Sequence, residues 1–304
     1  QYSFLTYTSI FWYNFMRVSF WIMSLIILYN YIKHVSIFFI KKSIELFILF
    51  LSCILAVQLI SVYAFDYIID FSILIGGDEV RSFSSGFFPY RPTAVFSEPS
   101  IFSGVMLCLI TIYYILSGNS KVILAGLASM ALTFSILGVF LAFIAFSIIF
   151  YKNNFKNLIL ILFFFSLGFY FFNELLASRY DSFLQGDDSS NNIKIDVLNY
   201  LASSWEILFF GYGVIGKGAE APSYFEALYD LTFFINMISM FGTIFGGFIL
   251  FYIISEILKI KVTFRMFILI FLSLVKISSP MMLFFNFFIM MLFVLKYKGE
   301  VGEL

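Results

Sequence analysis

SIELFILFLSCILAVQLISVYA (residues 43–64) carries one acid, Glu45, and no basic residue. The run is long enough to cross a hydrocarbon layer about 30 Å thick. It does not alternate apolar with polar residues, so it reads as a helix and not as a barrel strand. Similar runs recur at about 12–32, 99–117, 122–135, 136–151, 157–172, 232–254, 266–279 and 281–295. The expected fold is therefore all-α: one polytopic membrane domain over 1–304, with about nine transmembrane helices. The runs 122–135 and 136–151 are short. They read either as a hairpin bent around Ser135 and Gly138 or as one long tilted helix.

Composition agrees with this reading. Apolar residues make up 62% of the chain and charged residues 12%, about half the charge of an ordinary soluble domain. The 45 Phe and 19 Tyr suit lipid-facing surfaces and interfacial belts. A net charge of zero gives no basis for bulk electrostatic binding of nucleic acid. One His and two Cys, Cys53 and Cys108, cannot supply an imidazole- or thiolate-built metal centre. No metal and no cofactor are expected. The chain begins at Gln1, not Met, with no signal peptide in view, so any missing helices are expected upstream.

Orientation follows from basic residues in short loops. Lys33, Lys41, Lys42, Lys121, Lys152, Lys156, Lys259, Lys261, Arg265, Lys296 and Lys298 all fall on one face if the 122–151 hairpin forms. That face is read as cytoplasmic. Two polar segments then face outward, a first periplasmic loop at 65–98 and a large one at 173–231. The run 186–192 within the second reads as a mobile turn. These loops hold most of the acids, yet also Arg81, Arg91, Arg179, Lys194 and Lys217. Cations on the outer side run against the positive-inside bias, although long loops translocate regardless of charge.

Two groups of residues could carry chemistry. In Arg91-Pro-Thr-Ala-Val-Phe-Ser-Glu98-Pro99-Ser100, Pro99 suits the first turn of a helix, and Glu98 before it is pushed to an extended conformation. Glu98 can cap that helix with its carboxylate. The helix then opens outward with its free amides and positive dipole end, which suits a phosphate, and Arg91 adds a fork of matching donors. The plain alternative is a well-made helix start. The second group lies in 173–231: Arg179, Lys194, Phe210-Gly211-Tyr212-Gly213 and Asp230 ahead of Asn236. Its glycines do not make a nucleotide fingerprint, because no strand precedes them. Lys276, near Ser278-Ser279-Pro280 in an apolar run, is expected to snorkel to the outer interface or, alternatively, to face a site.

These segments in this order resemble the O-antigen polymerase (Wzy) family of the O-antigen polymerase/ligase superfamily. The resemblance spans about 43–255. It rests on Arg91 ahead of Phe96-Ser-Glu-Pro-Ser100, on the Ser135/Gly138 hairpin, and on Arg179 and Lys194 some fifteen positions apart. It also includes Phe210-Gly-Tyr-Gly213, and Asp230 before Asn236 and Met240-Phe-Gly242. The family often has Arg at the place of Lys194 and His near that of Asp230. The resemblance implies a metal-independent glycosyltransferase at the periplasmic face of the bacterial inner membrane. Its donor and acceptor would both be oligosaccharides on undecaprenyl diphosphate, and a chain-length regulator protein is a possible partner. Arg91, Arg179 and Lys194 would bind the diphosphate, and Glu98 or Asp230 would take the acceptor proton. An O-antigen ligase and a flippase for lipid-linked oligosaccharides are the alternatives.

Overall fold

The computed structural model describes residues 8–75, 90–151, 177, 181, 184, 189–214, 223–228, 230–260 and 262–302. The expected span 157–172 and the candidate Arg179 lie outside them. The described residues are helical, with no strand among them. The helices are α1 (Thr8–Ile32), α2 (Ile37–Phe65), α3 (Pro99–Ile115), α4 (Ser120–Ala131), α5 (Ile136–Phe150), α6 (Ser189–Ser203), α7 (Trp205–Phe210), α8 (Phe233–Leu258), α9 (Phe264–Ser273) and α10 (Leu283–Glu300). Three of them, in α1, α2 and α8, are long and apolar enough to cross a membrane. Helices α3, α4, α5 and α9 are shorter apolar helices.

Three expectations change in detail and one open alternative is resolved. Helix α2 starts at Ile37, so Lys41 and Lys42 lie on its second turn and not in a loop. The 122–151 region is a hairpin of two helices: Phe134 takes a left-handed φ of 51°, and Ser135 caps α5 by accepting from the Gly138 amide. The run 266–279 is helical only to Ser273, and residues 274–282 carry no helix, because Pro280 and the serines before it disfavour one. The segment 173–231, expected to face outward as a loop, is not simply loop among its described residues. Ser189–Asn192, within the expected mobile turn, open α6.

The chain divides into two compact units. The second unit (36–179 and 262–273) is built around α3, which is buried along nearly its whole length and packs on α2, α4, α5 and α9. Lipid is as apolar as Leu, so close approach and not water exclusion must drive this packing. Small residues allow it: a Cβ on Gly126 would sit 2.9 Å from the Ile110 side chain. The outward face of α2 (Phe38, Phe39, Leu46, Phe50, Val57, Ile60) is exposed and apolar, as a lipid-facing surface must be.

The first unit (1–35, 180–261 and 274–304) packs α10 on α1 and α8, and α6 and α7 on each other. Its helix α8 is broken at Gly242 (φ 71°, ψ 174°), a conformation open essentially only to glycine.

Candidate functional site

In the second unit, the segment 90–98 is held ahead of α3 by side chains of α2, Gln58 above all. Gln58 is 1% exposed and uses its whole amide. Its Oε1 accepts from the amides of Thr93 (3.2 Å) and Ala94 (2.7 Å), and its Nε2 donates to the carbonyls of Ile69 and Ala94 (both 3.1 Å). Two donors and two acceptor contacts saturate a carboxamide. Ala94 is held at a left-handed φ of 51° with no exposure, a strain the Gln58 contacts maintain. The Tyr63 hydroxyl donates to the Tyr90 carbonyl at 3.0 Å. Burial, then the charge of Asp70, then Tyr63 push the Tyr90 phenol up to about 12, so it stays protonated at neutral pH. Arg91 is half-buried between buried Tyr90 and Pro92.

Glu98 takes the expected extended conformation before Pro99 (φ −135°, ψ 143°). Its carboxylate does not cap α3, in contrast to the sequence expectation; its Oε2 accepts from Ser100 Oγ at 3.2 Å instead. One turn into α3, Ser103 Oγ donates to the Pro99 carbonyl (2.9 Å) and lies 3.4 Å from Thr133 Oγ1. Gly138 closes this corner, since a Cβ there would stand 2.4 Å from Ser103 Oγ. The N-terminal ends of α3 and α5 therefore meet at one end of the unit. The opposite end carries the basic residues: Lys41 donates to the Ser117 carbonyl (2.8 Å), Lys42 pairs with Glu45 (2.6 Å), and Arg265 donates to the Tyr151 carbonyl (2.9 Å).

In the first unit, Asp230 lies between two ammonium groups. Lys276 Nζ is 2.7 Å from Oδ1 and Lys194 Nζ is 2.9 Å from Oδ2. Burial alone would push the Asp230 carboxyl up, but the charges and hydrogen bonds of Lys276 and then Lys194 hold it below its ordinary value. Lys276 does not snorkel as the apolar run suggested. Its side chain is 11% exposed, it stands in the helix-free 274–282 segment, and it is ion-paired. Three buried residues pin the chain around Asp230. Asn236 Nδ2 donates to the Leu231 carbonyl (2.9 Å) and to Ser278 Oγ (2.8 Å), Ser278 Oγ donates to the Leu231 carbonyl (2.6 Å), and Ser239 Oγ donates to the Leu228 carbonyl (3.1 Å). Lys194 is delivered by α6, whose Ile193 and Val197 pack with Tyr212, Tyr224, Phe225 and Leu228.

The break in α8 joins two of the segments singled out in the sequence. Unwinding at Gly242 leaves helix carbonyls without their usual donors. The amides of Tyr212 and Gly213 donate to the carbonyls of Ser239 (2.7 Å) and Met240 (2.9 Å). The far end of α8 is again the basic end, where Glu256 bridges Lys259 and Lys296. A cleft of about 590 Å³ between α1, α8 and α10 reaches that end; its walls are mainly apolar, and Asp230, Lys194 and Lys276 are not among them.

Of the sequence candidates, Lys194 and Asp230 are brought into contact, and Arg91 and Glu98 share the segment fixed by Gln58. Gln58, Ser239 and the pairing of Lys276 were not foreseen. A lone Gln inside 43–64 was the available signal, because a polar amide within an apolar span must find partners. No group of three or more His, Cys, Asp or Glu that could hold a metal occurs among the described residues. No family model, curated protein or solved structure matches the chain.

Proposed function

We propose that the chain is a polysaccharide polymerase of the O-antigen or capsule kind, a metal-independent glycosyltransferase acting at the periplasmic face of the bacterial inner membrane. Its substrates are oligosaccharide repeat units on undecaprenyl diphosphate, and the chain would cross the membrane about nine times with outward loops at 65–98 and 173–231. The observation that carries this reading is the polarity of each unit. In the second unit the candidate residues Arg91 and Glu98 lie at the end opposite Lys41, Lys42 and Arg265. In the first, Lys194 and Asp230 lie at the N-terminal end of α8, opposite Lys259 and Lys296. A flippase must open to both sides and needs polar residues along both halves of its path. The candidate residues of each unit gather at one of its ends, which suits chemistry on one face.

The step transfers the growing glycan. The acceptor hydroxyl oxygen bonds to the anomeric carbon of the donor sugar as the bond from that carbon to the diphosphate oxygen breaks. The electron pair leaves with the diphosphate, and the acceptor proton passes to a carboxylate. Following the family resemblance, positive charge for the leaving group would come from Arg91, Arg179 and Lys194; within the second unit the N-terminal dipole of α3 adds to that of Arg91. Glu98 is the better base, because Asp230 is held as a carboxylate by two cations and is weakened as a proton acceptor.

Deletion of the gene tests the function on a surface-polysaccharide gel. Loss of the ladder with one repeat retained is expected. Loss of every repeat would indicate a ligase or flippase, and an unchanged ladder would overturn the proposal. In complemented cells Arg91→Lys should lose roughly 30- to 1,000-fold in rate, the equivalent of about 2–4 kcal/mol of charge stabilisation.

A further inference from the structure

Asp230 and its two lysines are an expensive arrangement for a membrane protein. Ion pairs with little solvent contribute weakly to stability, since desolvation offsets most of their attraction. Partly buried ionisable groups that are paired in this way are candidates for functional sites. The geometry is specific in three respects. Each ammonium takes a different oxygen of one carboxylate, so two cations face a single anion. They arrive from separate elements, Lys194 from α6 and Lys276 from the helix-free 274–282 segment. The segment that carries Lys276 is tied to the Asp230 loop through Ser278, Asn236 and the Leu231 carbonyl, so the backbone positions of Lys276 and Asp230 keep their spacing while the side chains can move. Lys194, at 31% side-chain exposure, and Asp230, at 35%, still meet solvent, so a ligand can reach them.

We propose that Lys194 and Lys276 form a binding site for the diphosphate of a prenyl-linked ligand, with Asp230 as the counter-ion that the ligand displaces. A diphosphate offers several anionic oxygens where Asp230 offers two, and lysine suits it as a mobile point charge with three donors. Asp230 then keeps the two ammonium groups paired while the site is empty, and swings away or shares them when the ligand binds. The N-terminal end of α8, two residues beyond Asp230 at Thr232, adds positive potential on the same side. Lys276 thereby joins the substrate-binding residues, and Asp230 acts as a positioning and competing anion, not as a base. The prenyl ligand rests on the function proposed above, whereas the anion site rests on the lysine pair.

The test is binding to the purified full chain in detergent, with fluorescently labelled farnesyl diphosphate as the probe and inorganic pyrophosphate and farnesol as competitors. Lys276→Gln and Lys194→Gln should each weaken probe binding at least tenfold, and Lys276→Arg should retain most of it. Asp230→Asn should tighten it severalfold by removing the competing carboxylate. Unchanged binding in both Gln variants overturns the site. Binding weakened by Asp230→Asn as much as by Lys276→Gln overturns the displaced counter-ion. Pyrophosphate competing as well as unlabelled farnesyl diphosphate overturns the prenyl ligand. A chain that shows the expected binding pattern but builds no polysaccharide ladder supports this site while the polymerase function fails.

Discussion

Gly211 and Gly242 are in backbone contact: a Cβ on Gly211 would stand 2.5 Å from the Gly242 nitrogen, and one on Gly242 would stand 2.0 Å from the Phe209 carbonyl oxygen. Both glycines adopt positive φ with ψ near 175°, a region closed to other residues. The two turns are one joint, in which the 211–213 segment supplies donors to the unwound carbonyls of α8. Gly242→Ala and Gly211→Ala should therefore each cost about 3 kcal/mol or more, from backbone strain plus a clash with backbone that cannot yield. Gly247→Ala, whose added methyl meets nothing within 4 Å, should be neutral or stabilise by up to about 1 kcal/mol as a helix-interior replacement. Thermal unfolding in detergent, read by tryptophan fluorescence, reports all three. Equal melting temperatures for Gly242→Ala and Gly247→Ala would refute the joint.

Gln58→Leu removes four hydrogen bonds from the 69 and 93–94 backbone without a replacement for any of them. A buried polar group left unsatisfied costs about 1–3 kcal/mol, so the variant should lose roughly 3 kcal/mol or more. Gln58→Glu keeps the two acceptor contacts and loses the two donated ones, so it should fall between Leu and wild type. Melting temperatures in that order, with limited proteolysis appearing first near residue 94, are the expected result. Equal stability of Gln58→Leu and wild type would show that the segment is held by other groups.

The helical class was legible in the sequence because apolar length alone decides it, and the start of α3 was legible because Glu98-Pro99 restricts the backbone on both sides of one bond. The hairpin at Ser135 and Gly138 was legible for a similar local reason. What failed was non-local. Pro280 and the serines before it signal a helix end near 279, but not one at Ser273, and the role of Ser278 on the Leu231 carbonyl some forty-seven positions away cannot be read locally. Lys276 looked like a snorkelling cation because its partner, Asp230, is likewise distant in sequence. Glu98 is the local exception: read as a capping carboxylate, it accepts from Ser100 Oγ and makes no cap bond.

Orientation is tested with single cysteines in a background where Cys53 and Cys108 are replaced by Ala. Ser97→Cys lies at the end of the second unit that carries Glu98. Lys121→Cys lies at an exposed position on the first turn of α4, at the end where Lys41 meets the Ser117 carbonyl. An impermeant maleimide applied to intact spheroplasts should label Ser97→Cys and leave Lys121→Cys unlabelled until the membrane is permeabilised. The reverse pattern would put Arg91 and Glu98 in the cytoplasm and remove the periplasmic transferase.

The pH dependence of stability isolates Asp230. Its carboxyl titrates below the ordinary value of about 3.9 because Lys276 and Lys194 outweigh the effect of burial. The unfolded chain thus takes up this proton at a higher pH than the folded chain does. The contribution to stability is complete above the ordinary carboxylate range, and it is lost as the pH falls through the lowered folded value. Wild-type melting temperature should be insensitive to this group from pH 8 to about 5 and should fall below about pH 4. Asp230→Asn removes the group, so its acid limb should be shallower. At neutral pH the same variant should already be less stable by roughly 1–2 kcal/mol, because two ammonium groups lose their carboxylate while partial solvation softens the loss. Adding Lys276→Met to Asp230→Asn should recover part of that loss, since the more buried cation goes with its partner. Melting curves from pH 3 to 8 for the three proteins decide the matter. Acid limbs of equal slope in wild type and Asp230→Asn would mean that the carboxylate is not held by the two lysines.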